Sequence, residues 1–161
     1  MPQEIMPKTA RKEFRQYIKP AGFDKPYVLG RDNTDLSAEL SWDETDELNV
    51  LDEMTSTNKL TAVSTSIEPY YARRDDEMAL YLIDLYARRA DLDDIVAVYY
   101  EAMIDNEGET IFANKQECVI LIQSIGGDST DAINIPFNMK KIGKPVEQNY
   151  VFATETFTDK T

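Results

Sequence analysis

The sequence predicts a mainly β protein in which two antiparallel sheets pack as a sandwich or flattened barrel, with one flanking α-helix. Three observations support this fold class. Apolar and polar residues alternate over residues 36–42 and again over 59–68. β-rich segments fill most of the chain after residue 94. Only one segment, near residues 76–89, has clear helical spacing of its apolar residues.

The first 26 residues are predicted to form a basic N-terminal arm that precedes the domain. They contain four prolines, and outside residues 14–18 they have little apolar content. We therefore place the β domain at residues 27–157 and a short C-terminal tail at 158–161. The arm and residues 150–161 are expected to become ordered on assembly.

The first two strands are predicted to pair as a long hairpin. Over residues 36–42 the apolar side chains share one face, as in a half-buried strand. The connection, residues 43–58, has no β period and is predicted to be a long hairpin loop. It carries an apolar patch framed by acids, which consists of Leu48, Val50, Leu51 and Met54. An exposed apolar patch of this kind indicates a contact surface.

The helix is predicted near residues 76–89. Acids lie at its start and Arg88 and Arg89 at its end, as the helix dipole favours. The face predicted to enter the core carries Met78, Leu82, Leu85 and Tyr86. Leu80 and Ile83 widen the apolar arc, so we expect the helix to be covered on two sides.

The rest of the chain is predicted to form strands joined by turns. Turn residues rich in Gly, Asp and Asn separate the β-rich segments. The expected strands are residues 94–103, 116–125, 132–141 and 148–157. Cys118 lies in an apolar strand, so we expect a core residue and not a reactive thiol.

Composition excludes most catalytic and metal chemistry. The chain has no histidine and one cysteine, which removes His-based acid–base catalysis, an internal disulfide and the usual zinc sites. Acid pairs such as Asp75–Asp76 are typical of helix caps and turns. We therefore predict no catalytic residue, no cofactor, no metal site and no enzyme activity. The absence of a long apolar segment and of a secretory signal predicts no membrane association.

The charge is strongly negative and unevenly distributed. The formal net charge is -13, although residues 1–30 contain six bases and three acids. The acidic excess therefore lies in the middle of the chain. Such a surface does not bind a nucleic-acid backbone, because that binding needs Lys and Arg to displace counterions. An acidic surface would instead repel the backbone.

Four segments resemble major tail tube proteins of long-tailed phages of Gram-positive hosts. Residues 66–77, SIEPYYARRDDE, resemble the family's EPYYA…DD segment. Residues 117–128, ECVILIQSIGGD, resemble a strand that ends in a Gly-Gly-Asp loop, and residues 133–137, INIPF, the strand after it. Residues 44–54 resemble the family's E…NxLxE connection. The likeness covers about residues 27–157 and follows the family's order of elements.

The resemblance implies a structural protein of the virion tail, assembled in the cytoplasm of the host bacterium. Family members form six-subunit rings that stack into a hollow, non-contractile tube. The tube encloses the tape-measure protein during assembly and conducts double-stranded DNA, without binding it specifically, during ejection. The implied partners are other copies of the chain, the tape-measure protein, and the tail terminator and distal tail proteins.

Within such a tube, the resemblance and the residue pattern together assign roles to three groups of side chains. The patch at 48–54 is expected to contact the adjacent ring, and the helix to lie away from the lumen. The candidates for an acidic lumen surface are Glu39, Glu101 and Glu117, each on a strand opposite a buried face. The alternative is that these three acids face solvent on the outer wall.

Two other functions remain open from the sequence. One is the inner tube protein of a contractile tail. The other is an acidic, monomeric β-sandwich module that binds a carbohydrate or a protein. A third hypothesis is a metal-assisted hydrolase that uses carboxylates.

Overall fold

The computed structural model describes residues 8–33, 35–129 and 132–160, which form eight strands and one α-helix. The mainly β class with a single helix is therefore confirmed. The helix α1 spans Glu77–Arg88. The strands are β1 (Phe14–Pro20), β2 (Tyr27–Val28), β3 (Ala38–Leu48), β4 (Met54–Ile67), β5 (Val96–Ile104), β6 (Thr110–Ile122), β7 (Phe137–Val151) and β8 (Thr156–Asp159).

Hydrogen bonds join these strands in the order β2-β1-β5-β6-β7-β4-β3, with β8 paired to β7. The strands therefore belong to one continuous sheet, and the packing of two sheets stays a prediction. The chain divides into two compact units. The first unit comprises the described parts of Met1–Leu29, Ala97–Glu117 and Gly143–Thr161. The second unit comprises those of Gly30–Val96 and Cys118–Ile142.

In the first unit, β1 lies within the segment that the sequence predicted to be an N-terminal arm. It pairs with β5 from Phe14–Met103 to Pro20–Ala97, and also with β2. Tyr17 and Ile18 are completely buried. The prediction of an arm over residues 1–26 is therefore wrong from residue 14 onward. Consecutive residues of β1 are buried because both faces of the strand are covered, so the segment lacks the alternation that reveals a half-buried strand.

The sheet of the first unit is strongly curved. Tyr17 of β1 and Tyr150 of β7 are three strands apart in the sheet order, which is about 14 Å in a flat sheet. Their hydroxyl oxygens are nevertheless 2.7 Å apart. Phe157 of β8 packs against both rings, with centroid distances of 5.2 and 4.7 Å. The C-terminal tail predicted at 158–161 therefore begins inside β8. Residues 150–161 were expected to become ordered only on assembly, but Tyr150 is already buried in the single chain.

In the second unit, β3 and β4 form a hairpin that is longer than the sequence predicted. The expected pairing of residues 36–42 with 59–68 is confirmed, but the predicted loop at 43–58 is wrong. The two strands stay in register from Ala38–Thr65 to Leu48–Met54, with one irregularity at Ser41/Trp42. Polar residues occupy both faces of residues 43–47 and 55–59, so this part of the hairpin has no apolar alternation to predict it.

The helix α1 packs one face into the second unit. Met78 and Leu82 are completely buried and Leu85 is 3% exposed, as predicted. Tyr86 was assigned to the same face, and this assignment is wrong, because its side chain is 39% exposed. Tyr86 lies in the last turn, where Arg89 closes the helix in a left-handed conformation. The guanidinium of Arg89 covers the ring of Tyr86, 4.3 Å from its centroid.

A carboxylate clamp holds the segment between β4 and α1, which contains the EPYYA motif. Asp32 accepts hydrogen bonds from the backbone N–H of Tyr71, at 3.2 Å, and from the guanidinium of Arg73. Asn33 donates from its side-chain amide to the carbonyl of Pro69 at 3.1 Å. Asn134 accepts from the N–H of Tyr70 at 3.0 Å. The residues that carry the resemblance therefore have a structural role in this chain.

We expect Asp32→Asn to destabilise the fold by about 1 kcal/mol at neutral pH, since Arg73 is nearly half exposed and water weakens the pair. The hydrogen bond from Arg73 lowers the pKa of Asp32 below its ordinary value. The native carboxylate is thus stabilising above about pH 4 and loses this effect as the pH falls through its folded pKa. Urea unfolding at pH 7 and pH 3 should show the difference between the two proteins shrinking in acid. An equal difference at both pH values would contradict the clamp.

Candidate assembly surfaces

The hairpin β3–β4 is the most exposed element that the structure describes. Every residue from 39 to 61 is exposed. A hairpin of two strands without a packed face is only marginally stable in water. The hairpin therefore carries a surface suited to a partner that is outside its own chain.

Asn49 builds the turn at the end of the hairpin. Its side-chain carbonyl accepts hydrogen bonds from the backbone N–H groups of Leu51, at 2.9 Å, and Glu53, at 3.0 Å. Asp52 takes a left-handed conformation with φ of 61°, as is usual in three-residue hairpin loops. This turn holds the side chains of Val50 and Leu51 outward, where they are 100% and 73% exposed.

The two faces of the hairpin differ in polarity. Residues paired across the strands share a face. One face thus carries three apolar pairs, Leu40–Val63, Trp42–Leu60 and Leu48–Met54. Acidic and hydroxyl side chains occupy most of the opposite face, which includes Glu39, Ser41, Asp43, Thr45, Glu47, Thr55 and Thr57. On the first face the polar pairs Glu44–Asn58 and Asp46–Ser56 separate the apolar residues into two patches, one around Trp42 and one at the end of the hairpin.

We define the hairpin tip as residues 48–54. The four side chains predicted to contact an adjacent ring all lie here: Leu48, Val50, Leu51 and Met54. Each is more than 60% exposed, so the apolar patch is present on the isolated chain. Their contact with another copy stays a prediction. The sequence placed Leu40 and Trp42 on the covered face of a half-buried strand, and this is wrong, because they are 56% and 57% exposed.

The three acids proposed for the lumen differ in their surroundings. Glu39, in the second unit, and Glu117, in the first, are exposed. Glu101 is half-buried and accepts hydrogen bonds from the hydroxyl of Tyr99, at 3.1 Å, and the side-chain amide of Asn114, at 3.3 Å. Glu101 thus has a structural role on its strand, and only Glu39 and Glu117 present free carboxylates.

A second apolar surface lies beside the last turn of α1, within the second unit. It is a cavity of about 390 Å³ that we call the α1–β6 groove. Its lining residues are Leu85, Tyr86, Arg89, Ala90, Ile95, Ile120, Leu121, Ile122, Gln123 and Ser124. Leu80 and Ile83, on the outer side of the same helix, are also exposed, although the sequence predicted cover on both sides. The groove is lined by the end of a helix and by a strand that are separated in the sequence. No sequence pattern shows that these two segments lie side by side, so the sequence does not predict the groove.

The titratable groups of the interior show no catalytic arrangement among the described residues. Cys118 is completely buried, as predicted, and burial raises the pKa of its thiol to about 12. Burial likewise raises the pKa of Tyr81 to about 12. Over residues 8–33, 35–129 and 132–160, no three acidic or cysteine side chains lie close enough together to hold a metal ion.

Comparisons with known proteins assign this chain to no family. Within the described part of the chain, no helix combines the length and the apolarity that a bilayer span requires. No protein-family model matches the chain, and no curated protein matches its sequence.

Proposed function

We propose that this chain is a structural protein that polymerises as stacked hexameric rings into a hollow phage tail tube. The observation that carries the proposal is the hairpin, whose tip and whose side chains Leu40, Trp42 and Leu60 are exposed. The four sequence segments that resemble tail tube proteins support the same function. An exposed apolar patch favours a role in assembly.

The exposed sheet edge supports assembly in a second way. β3 is the last of the described strands in the sheet order, so none of them pairs with the outer side of its eleven residues. Unpaired edges join other sheets unless charges protect them. Asp43, Glu44, Asp46 and Glu47 lie on this edge, and their mutual repulsion opposes pairing of β3 with itself. The edge is therefore suited to a different and less acidic surface, as a head-to-tail contact around a ring requires.

The purified protein tests this proposal directly. Sedimentation velocity over a range of concentrations should show rings or longer polymers, and negative-stain microscopy should show hollow tubes. Salt should promote assembly at first, because it screens the repulsion between chains of net charge -13. A particle that stays near 18.4 kDa at high concentration would overturn the proposal and favour a monomeric binding module.

Charge reversal on the strands tests the acidic lumen. We expect the double variant Glu39→Lys/Glu117→Lys to form tubes but to slow DNA ejection severalfold at low salt, because lysines in the bore would bind phosphates. Glu101 is left unchanged because its hydrogen bonds support the fold. The matched control, Glu107→Lys/Glu109→Lys, makes the same charge change in the exposed turn after β5. Equal ejection rates for both variants would place Glu39 and Glu117 outside the bore.

A further inference from the structure

The α1–β6 groove has the form of a receptor for apolar side chains. Leu85 and Ile120 are 3% and 1% exposed and form its floor. Tyr86 and Leu121 stand at its rim, 39% and 38% exposed. A groove with apolar walls and a few polar groups at its edge is the usual form of a site that accepts apolar side chains.

Arg89 gives the groove a positive charge. It is the one charged residue among the described residues that line the groove. Its guanidinium lies over the ring of Tyr86 and donates one hydrogen bond, to the carbonyl of the same residue. Among the described residues no carboxylate pairs with Arg89, whereas its neighbour Arg88 pairs with Asp84 and Asp94. Most of the donors of Arg89 thus remain available to an acidic partner.

The hairpin tip has the complementary chemistry. Leu48, Val50, Leu51 and Met54 form an apolar projection of four side chains, each exposed by more than 60%. Glu47, Asp52 and Glu53 surround this projection. Carboxylates beside an apolar projection match a guanidinium beside an apolar groove, and complementary charges fix the orientation of such a contact.

We propose that the hairpin tip of one copy docks in the α1–β6 groove of a second copy. This inference deepens the proposed self-assembly and rests on it. The apolar side chains of the tip lie on Leu121 and Tyr86, and a carboxylate of the tip pairs with Arg89. Because tip and groove are different surfaces, each copy offers one of each, and the contact extends from copy to copy without limit unless the rotation closes it.

Variants with one added cysteine test the contact by disulfide trapping. Val50→Cys places a thiol on the tip, and Ser124→Cys places one beside the groove; both positions are exposed. The native Cys118 is completely buried and stays reduced in wild-type controls. The two variants, one carrying a mass tag, are mixed under assembly conditions and oxidised. We expect the mixed dimer to exceed either homodimer at least fivefold.

Three further variants test the specificity of the contact. Lys12→Cys places an exposed thiol in the basic N-terminal segment, which is the competing receptor for an acidic tip. Arg89→Glu should reduce the Val50–Ser124 disulfide about tenfold, and Arg89→Lys, which keeps the charge, should preserve most of it. Trapping of Val50→Cys by Lys12→Cys in preference to Ser124→Cys would overturn the inference, as would no effect of Arg89→Glu.

Microscopy of the same mixtures separates this inference from the proposed function. Tubes with the Val50–Ser124 disulfide support both. The disulfide in closed oligomers, without tubes, supports the contact and overturns the tail tube. Tubes without the disulfide support the tail tube and overturn the contact. Monomers without any disulfide overturn both.

Discussion

The double variant Leu48→Asp/Leu51→Asp is expected to fold normally and to make no tubes. Both side chains are largely exposed in the isolated chain, at 62% and 73%, so their replacement leaves the core intact. In an assembled contact each apolar side chain contributes about 1.5–3 kcal/mol on burial, and a carboxylate there would add a desolvation cost. Because every copy repeats the contact, the loss should abolish polymerisation.

A control must add the same charge elsewhere on the hairpin. Ser41→Asp/Thr57→Asp places two carboxylates on the polar face, opposite the uncharged residues Ala62 and Thr45. We expect this variant to assemble, with a requirement for more salt. Circular dichroism and urea unfolding should give the wild-type stability for both variants, and microscopy should find tubes only in the control. Normal tube yield from Leu48→Asp/Leu51→Asp would exclude the tip as a contact.

Leu82→Ala is expected to reduce the free energy of unfolding by about 2–5 kcal/mol. Leu82 is completely buried at the centre of the packed face of α1, between Met78 and Leu85. Truncation to alanine removes apolar burial and leaves a cavity that the surrounding side chains fill only partly. Urea or thermal unfolding of the two proteins under the same conditions measures the change.

Leu80→Ala is the matched control on the same helix. Leu80 is 57% exposed, so its truncation should change stability by no more than about 0.5 kcal/mol. If α1 or its outer face docks on another copy, Leu80→Ala should weaken assembly while Leu82→Ala weakens folding. Similar losses of folding stability in both variants would mean that the helix packs differently from the structure.

The elements that the sequence predicted well are those with one buried face. The predicted pairing of residues 36–42 with 59–68 is confirmed, and apolar burial is confined to the base of the hairpin, at Leu36 and Ile67. The buried stripe of α1 follows from the spacing of Met78, Leu82 and Leu85. Tyr86 has the same spacing but lies where the helix ends and the cover stops, and only the packed structure marks that boundary.

The elements that the sequence mispredicted do not have one buried and one exposed face. β1 is covered on both faces, so its residues do not alternate, and its Pro20 suggested an irregular arm. The outer part of the hairpin is covered on neither face, so polar residues fill both sides of its strands. β1 is defined by hydrogen bonds to β5, far away in the sequence, and the outer hairpin by pairing with a neighbouring segment that no apolar alternation marks.

The sequence by itself determined the mainly β class, the single helix, the acidic charge, the lack of histidine chemistry and the apolar residues of the hairpin tip. Each of these depends on composition or on local periodicity. Only the tertiary structure decided that the tip stands at the end of an exposed hairpin and that β1 belongs to a core. It also brought the end of α1 beside β6 to form a groove with Arg89 at its edge. Such a groove exists only after segments about thirty residues apart have packed together, because packing, and not sequence spacing, sets which side chains meet.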